Sequence, residues 1–225
     1  METIRAIKSI EEQTYKDIEI VVHDNSYLNL GVALPSNITA KKSHSKYLFF
    51  LDNDAYLTDP MYISHLLWVM EEYPYCAFVF GRVQNPDGTD QWIEQFELND
   101  SGIMQKCKSF NGCGVLINCS YFIEVGGYNE KFFAYYLEPE LSSRFYNAGY
   151  YGMYTPNTLV HEQTKKARES DIVAYLLVRN GYLYHIREGE WSKVMRRFMW
   201  ACMNCTPKTF IKAHIDTLRM LPKWI

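Results

Sequence analysis

Two aspartates one residue apart follow a short apolar segment of the chain. The segment Tyr47–Leu51 ends directly in Asp52, Asn53 and Asp54. An apolar run of this length is typical of a strand buried on both faces, as in the middle of a parallel sheet. Ligands of open α/β sheets bind beyond the carboxyl ends of the strands. Paired carboxylates there are hard oxygen ligands that suit Mg²⁺ or Mn²⁺, whereas a solvated acidic turn is the other interpretation.

Further side chains with the chemistry of a site lie at the ends of other predicted elements. The predicted strand Ile18–Val22 ends in a polar turn that contains Asp24 and Asn25. Glu138 opens a predicted helix, and His161 ends a short predicted strand. A parallel sheet would gather such ends at one rim, which favours a single site over scattered charges. A helix cap is the other interpretation of Glu138, and a core or surface histidine that of His161.

The composition is that of a globular protein without a basic field. The 225 residues are 48% hydrophobic, which is enough for a sizeable core, and the formal net charge is -3. We therefore expect no nucleic-acid partner. No apolar run approaches the length of a membrane span. The six cysteines follow no signal peptide, so we expect reduced thiols and a cytoplasmic protein.

The character of the chain changes near residue 169. Residues 1–168 alternate predicted strands and helices, whereas residues 169–225 form long predicted helices. The later helices interleave apolar and basic side chains, as in Trp191, Met195 and Arg196. Such helices can lie on a membrane surface, here its inner face, or they can pack across the domain. We therefore divide the chain into an α/β domain, 1–168, and a helical C-terminal extension, 169–225.

Several motifs occur in an order that is typical of one enzyme family. In chain order they are Ile20-Val21-Val22-His23-Asp24-Asn25-Ser26, Asn29-Leu30-Gly31, Leu51-Asp52-Asn53-Asp54, Phe110-Asn111-Gly112-Cys113-Gly114, Val125-Gly126-Gly127-Tyr128-Asn129-Glu130, Glu138-Pro139-Glu140-Leu141, Val160-His161 and Arg179-Asn180. With these motifs the sequence resembles the family 2 glycosyltransferases, particularly the rhamnosyltransferase-like members that make bacterial and archaeal surface glycans. The resemblance covers most of the chain, and the order of the motifs carries it.

The resemblance implies an α/β fold of the GT-A type. This is the Rossmann-like fold of nucleotide-diphospho-sugar transferases, a mixed, mainly parallel sheet flanked by helices. The family usually begins with a strand and turn for which this sequence has no counterpart after Met1. We therefore expect a domain that is shortened at its N-terminus and followed by a helical C-terminal tail. Glu138 stands where the family often has an aspartate, and Leu137 where it usually has an acid.

The resemblance also implies an activity and roles for individual residues. The activity is transfer of a sugar, with inversion, from a nucleotide-diphosphate sugar to a glycan or lipid-linked acceptor. Glu138 would be the catalytic base. Asp52, Asp54 and His161 would bind Mn²⁺ or Mg²⁺. The substrate-binding residues would be Asp24, Asn25, Gly31, Asp52, Asn53, Gly112 and Gly114.

Two other functions stay open at the level of the sequence. Phosphohydrolases with an aspartyl nucleophile also end an apolar strand in Asp-x-Asp. They usually continue with Gly-Thr, where this chain has Ala55-Tyr56. The second alternative is a non-catalytic, truncated glycosyltransferase-like protein that binds carbohydrate or nucleotide, because the half that would hold the nucleotide is shortened.

Overall fold

The computed structural model describes residues 2–23, 29–91, 102–161 and 170–221, and it shows a mixed sheet with helices on both faces. The strands are β1 Tyr47–Leu51, β2 Ala55–Leu57, β3 Cys76–Gln84, β4 Gln105–Cys107, β5 Gly114–Asn118 and β6 Tyr151–His161. They lie in the order β1-β5-β3-β6-β2, and β4 pairs with β6 as well. The architecture is the α/β sheet flanked by helices that the sequence predicts.

The strand directions bring several chain ends to one rim of the sheet. Strands β3 and β6 are parallel, and β5 is antiparallel to both β1 and β3, so β1, β3 and β6 run the same way. Strand β2 runs against β6. In register, Leu51 lies opposite Gly114 and Ala55 lies opposite His161. The residues 51–55, 112–114 and 161 therefore meet at one end of the sheet, which we call the polar rim.

Two apolar cores sandwich the sheet because side chains alternate along its strands. The helices beside it are α1 Glu2–Glu11, α2 Ala33–Lys42, α3 Tyr62–Glu72, α4 Cys119–Glu124 and α5 Leu137–Asn147. Phe78 and Phe80 of β3 pack with α2, α4 and α5, whereas Val79 between them packs with α3. Helix α3 faces this second core with one stripe that includes Ile63 and Leu66. Burial on both faces explains why β3 consists almost entirely of apolar residues.

Three further helices follow, as the sequence predicts for the segment from residue 169 on. They are α6 Asp171–Arg187, α7 Trp191–Asn204 and α8 Pro207–Met220. Ser170 caps α6 by accepting a hydrogen bond from the Val173 amide, and Thr206 caps α8 in the same way, with Pro207 as its first residue. The three helices share an apolar cluster that also takes in Tyr135. None of the described helices combines the length and the apolar character that crossing a bilayer requires.

The predicted strand Ile18–Val22 is wrong in the part of the chain that the structure describes. Residues 15–23 form no regular element, and Ile20, Val21 and Val22 are 39%, 52% and 57% exposed. A strand needs a neighbour for its backbone N–H and C=O groups, and no described strand pairs with this segment. The short strand predicted to end at His161 is the last part of the longer strand β6.

Candidate active site

Asp52, Asp54 and His161 meet at the polar rim because of a tight turn after β1. The Asp52 amide still donates to the Cys113 carbonyl, at 3.3 Å, and the Ala55 amide donates back to the Asp52 carbonyl, at 3.1 Å. This turn carries the chain from β1 into β2, where Ala55 lies opposite His161. The Nε2 atom of His161 is 3.1 Å from Oδ1 of Asp54. One ligand atom from each of the three residues lies within 4.8 Å of the others.

The donor set and its electrostatics fit a divalent cation. Two carboxylates and an imidazole nitrogen are ligands of Mn²⁺ and Mg²⁺ sites. The surrounding protein removes water from the Asp52 carboxyl, which raises its pKa. The charge of His161 opposes this rise, and the charge of Asp54 adds to it. Burial of Asp54 disfavours its charge. When the His161 ring carries a hydrogen on both nitrogens, its hydrogen bond and its charge outweigh this effect and lower the pKa of Asp54. A cation between the three residues would relieve the repulsion between the two carboxylates.

Glu138 faces the same rim from the first turn of α5. A Cβ built on Gly112 would lie 2.5 Å from Oε1 of Glu138, so a larger residue at position 112 would displace this carboxyl. Burial raises the pKa of Glu138 to about 7; a hydrogen bond from its own amide opposes the rise and the charge of Asp52 adds to it. A carboxyl with such a pKa can exchange a proton near neutral pH.

The buried thiol of Cys113 lies near the acidic residues of the polar rim. Cys113 is 2% exposed, and burial raises the pKa of its thiol well above the usual value. The charges of Asp52, Asp54 and Glu138 raise it further. Because all three carboxylates act on one sulfur atom, Glu138 shares the neighbourhood of the predicted metal ligands.

Three aromatic residues just before Glu138 have a backbone that non-glycine residues rarely adopt. Phe133, Tyr135 and Tyr136 have φ angles of 63°, 64° and 64°. Each such residue costs about 1 to 3 kcal/mol and persists only where its surroundings hold it. The entry into α5, and with it the position of Glu138, therefore depends on contacts from elsewhere in the fold.

Asn180 of α6 supplies these contacts. Its Nδ2 group lies 3.0, 2.7 and 3.0 Å from the carbonyl oxygens of Phe132, Ala134 and Tyr135 and shares its two hydrogens among them. Asn180 is fully buried. Arg179 donates a further bond to the Phe132 carbonyl at 3.3 Å. Helix α6 thus holds the strained segment that precedes Glu138.

The remaining predicted site residues are placed as follows. Gly31 has a φ of +71°, and a Cβ there would lie 2.5 Å from the Phe133 carbonyl oxygen, so this glycine packs against the strained segment. A Cβ on Gly114 would lie 2.1 Å from a methyl group of Leu159, inside the sheet. Asn53 is exposed in the turn after β1. Asp24 and Asn25 lie outside the described residues.

Three residues at the site were missed at the sequence level. Gln91 contacts His161 through both ends of its amide, and it carries no motif. Cys113 and Tyr128 are buried within reach of the charge of Glu138. Such contacts join distant parts of the chain, so the sequence does not predict them, although Cys113 and Tyr128 stand in two of the motifs quoted above. Asn180 stands in a motif that the sequence does show, but its partners appear only in three dimensions.

The chain is similar to solved structures, and this similarity concerns its fold. No protein-family model and no curated protein matches the chain. It is similar to the structure of GalNAc-T7 with UDP, GalNAc and Mn²⁺, at 12% identity and a TM-score of 0.57, over 82% of this chain and 47% of that one. It is also similar to the mannosyltransferase PcManGT from Pyrobaculum calidifontis in complex with GDP-Man and Mn²⁺, at 10% identity and a TM-score of 0.60.

The second alignment covers 98% of this chain and 76% of PcManGT, whereas the chain spans about half the length of GalNAc-T7. At these identities the likeness concerns the fold alone. The chain has the GT-A fold of these glycosyltransferases, which confirms the fold class predicted from the sequence.

Proposed function

We propose that this protein is a metal-dependent, inverting glycosyltransferase that takes a hexosyl group from a nucleotide-diphosphate sugar. One observation carries the proposal: at the rim of a GT-A sheet, three metal-ligand atoms lie within 4.8 Å of one another, and the charge of one of these residues, Asp52, raises the pKa of Glu138. The two similar structures, named above, contain Mn²⁺ with UDP or GDP-Man. The motif order favours a rhamnosyltransferase-like member of family 2.

Asp52, Asp54 and His161 would hold Mn²⁺ or Mg²⁺ in this reaction. The cation, when bound, would neutralise the charge that develops on the departing nucleoside diphosphate. Substrate contacts would come from Asp24, Asn25, Gly31, Asp52, Asn53, Gly112 and Gly114. The glycine at 112 keeps the Glu138 carboxyl open towards the rim, since a side chain there would fill that space.

Glu138 would accept the proton of the acceptor hydroxyl as that oxygen attacks the anomeric carbon. Its raised pKa makes it an effective base at neutral pH. The N-terminal turn of α5 favours the ionised carboxylate that must be present before the attack, and the proton transfer leaves Glu138 as a neutral carboxylic acid. Attack from the side of Glu138, opposite the leaving group, inverts the configuration at the anomeric carbon.

The acceptor would be a glycan or a lipid-linked glycan, reached at the inner face of the membrane from the cytoplasm. The support is in α7 and α8, whose exposed surfaces combine large apolar side chains with lysine and arginine. Such a surface suits peripheral contact with anionic lipid.

Transfer and donor hydrolysis, measured with a panel of nucleotide sugars and Mn²⁺, test the proposal. We expect Asp54→Asn to abolish Mn²⁺-dependent turnover and Glu138→Gln to lower transfer about 100-fold or more while donor binding persists. Wild-type transfer should increase as the pH rises through about 7, because Glu138 must be ionised. Glu124→Gln, which alters an exposed glutamate of α4, is the control. Wild-type turnover by Glu138→Gln would refute the role of the base.

The segment 15–23 supports a second candidate, a non-catalytic protein that binds carbohydrate or nucleotide. The predicted strand Ile18–Val22, which the resemblance places beside the nucleotide, does not join the described sheet. Isothermal titration with nucleotide sugars and Mn²⁺ separates the two candidates. Binding with turnover supports the enzyme, whereas binding without turnover, or no binding at millimolar donor, supports the non-catalytic protein.

A further inference from the structure

We propose that the turn 85–91 sets the tautomer of His161, so that the Nε2 lone pair of this residue faces the cation site. Gln91 would act as the positioning residue that transmits this choice. The inference rests on the proposed metal site, and it assigns a role to residues that lie outside this site.

A chain of hydrogen bonds runs through the turn in one direction. The Thr89 hydroxyl donates to the Asp87 carboxylate at 2.6 Å and accepts from the Asn85 amide nitrogen at 2.8 Å. The Asn85 oxygen accepts from the Gln91 amide nitrogen at 2.6 Å. The Gln91 oxygen lies 3.2 Å from Nδ1 of His161. An ionised carboxylate can only accept, so Asp87 fixes the direction of every later bond.

A second contact fixes the Gln91 amide independently of that chain. Its nitrogen lies 2.8 Å from the backbone carbonyl oxygen of His161, and a carbonyl oxygen can only accept. A flipped amide would place two acceptor oxygens at this distance, where they repel each other. The Gln91 oxygen must therefore face Nδ1, and because it too can only accept, Nδ1 of His161 carries the hydrogen.

The neutral ring then has no hydrogen on Nε2, the atom that lies 3.1 Å from Oδ1 of Asp54. A lone pair and a carboxylate oxygen at this separation repel each other unless a proton or a metal cation lies between them. Metal-bound histidines are commonly oriented in this way by a hydrogen bond to the other ring nitrogen. Gln91 would thus prepare His161 as a ligand before any cation arrives.

Nitrogen-15 NMR of the His161 ring tests the tautomer directly in the metal-free protein. The spectrum is taken at alkaline pH, above the usual imidazole pKa of about 6.5. We expect the hydrogen on Nδ1 in the wild type and a shift towards the Nε2–H form in Gln91→Met. Signals that vanish in His161→Gln assign the residue. A wild-type ring with the hydrogen on Nε2 would overturn the proposal.

Mn²⁺ affinity, followed by the electron paramagnetic resonance signal of the free ion, gives the second readout. We expect Gln91→Met to bind Mn²⁺ about 10- to 100-fold more weakly. Asn157→Leu is the matched control, because it removes an amide 2.7 Å from another histidine, His65, and should leave the affinity unchanged.

Thr89→Val breaks the same series of hydrogen bonds at an exposed position. It provides the test if Gln91→Met does not fold. We expect it to weaken Mn²⁺ binding by about 2- to 5-fold, which is less than the roughly 10- to 100-fold effect of removing a direct partner of a metal ligand, because Thr89 acts on His161 only through Asn85 and Gln91. Unchanged affinity in both variants would overturn the proposal. A wild-type protein that binds Mn²⁺ and shows the Nδ1–H ring, yet transfers no sugar, would refute the transferase and leave this inference standing.

Discussion

The ionised form of the Glu138 carboxyl is poorly stabilised by its surroundings. Burial comes first among the causes that raise its pKa from 4.5 to about 7. Between these two values the folded state binds more protons than the unfolded state, so stability decreases as the pH rises through this window. The destabilisation is complete above pH of about 7 and amounts to at most about 3 kcal/mol. A placement that costs stability is typical of residues kept for function.

We therefore expect Glu138→Gln to be more stable than the wild type at alkaline pH, by about 1 to 3 kcal/mol, and equally stable near pH 4. Glutamine has the same shape as glutamate but carries no charge, so folding does not remove a carboxylate from water. Urea unfolding of both proteins in metal-free buffer, at several pH values, measures the difference. A constant difference across the pH range would contradict the raised pKa.

At the scale of elements, α6 is the support for the strained entry into α5. Asn180→Leu has a similar volume but donates no hydrogen bond, so the carbonyls of Phe132, Ala134 and Tyr135 lose their buried donor. We expect a loss of about 2 to 4 kcal/mol in the free energy of unfolding. If Glu138 is the base, kcat for transfer should decrease about 10-fold or more, with the donor KM little changed.

A merely structural role would leave the pH profile of the remaining activity unchanged, so this profile is the deciding measurement. We expect its midpoint to move in Asn180→Leu, because the surroundings of Glu138 change with the segment. Asn204→Leu is the control, because it removes an exposed amide that donates to the Trp200 carbonyl within α7. An unmoved midpoint together with unchanged kcat would show that α6 does not position Glu138.

The elements also show what local sequence can predict. Asp52, Asp54 and His161 were found because each lies where an apolar run ends, and such runs are visible locally. The strand Ile18–Val22 was predicted from the same signal, but a strand exists only when another one pairs with it. The contact of Gln91 with His161 spans 70 positions, and that of Asn180 with Phe132 spans 48. Contacts of this kind depend on the whole topology and leave no periodic pattern.

At the scale of the whole molecule, the exposed faces of α7 and α8 combine apolar and basic side chains. We call these faces the helical surface; its exposed apolar residues are Trp191, Met195, Phe198, Met199, Met203, Ile211, Ile215 and Leu218. Phe198 joins the two helices, with its ring centroid 5.7 Å from those of both Phe210 and His214. Residues 191–221 contain six lysines and arginines and a single acid, Asp216, in a chain of net charge -3. An apolar stripe beside basic side chains is complementary to an anionic lipid surface.

Sedimentation with vesicles tests the proposed membrane contact. We expect binding to vesicles rich in phosphatidylglycerol, weaker binding at high salt, and little binding to phosphatidylcholine alone. Each exposed basic residue contributes about 1 kcal/mol at such a surface, so Lys208→Gln with Lys212→Gln should weaken binding about 30-fold. Leu218→Glu should weaken it as well, because a charge enters the apolar stripe, whereas Trp68→Glu on α3 makes the same kind of change elsewhere and should not.

Sedimentation velocity without lipid tests the alternative that a second copy of the chain covers the helical surface. A basic surface opposes its own image, so like charges would face each other in a symmetric dimer. Lipid headgroups of opposite sign meet no such repulsion, which is why we expect a monomer that binds vesicles. A dimer that Leu218→Glu dissociates, together with no vesicle binding by the wild type, would assign the surface to self-association and contradict the membrane proposal.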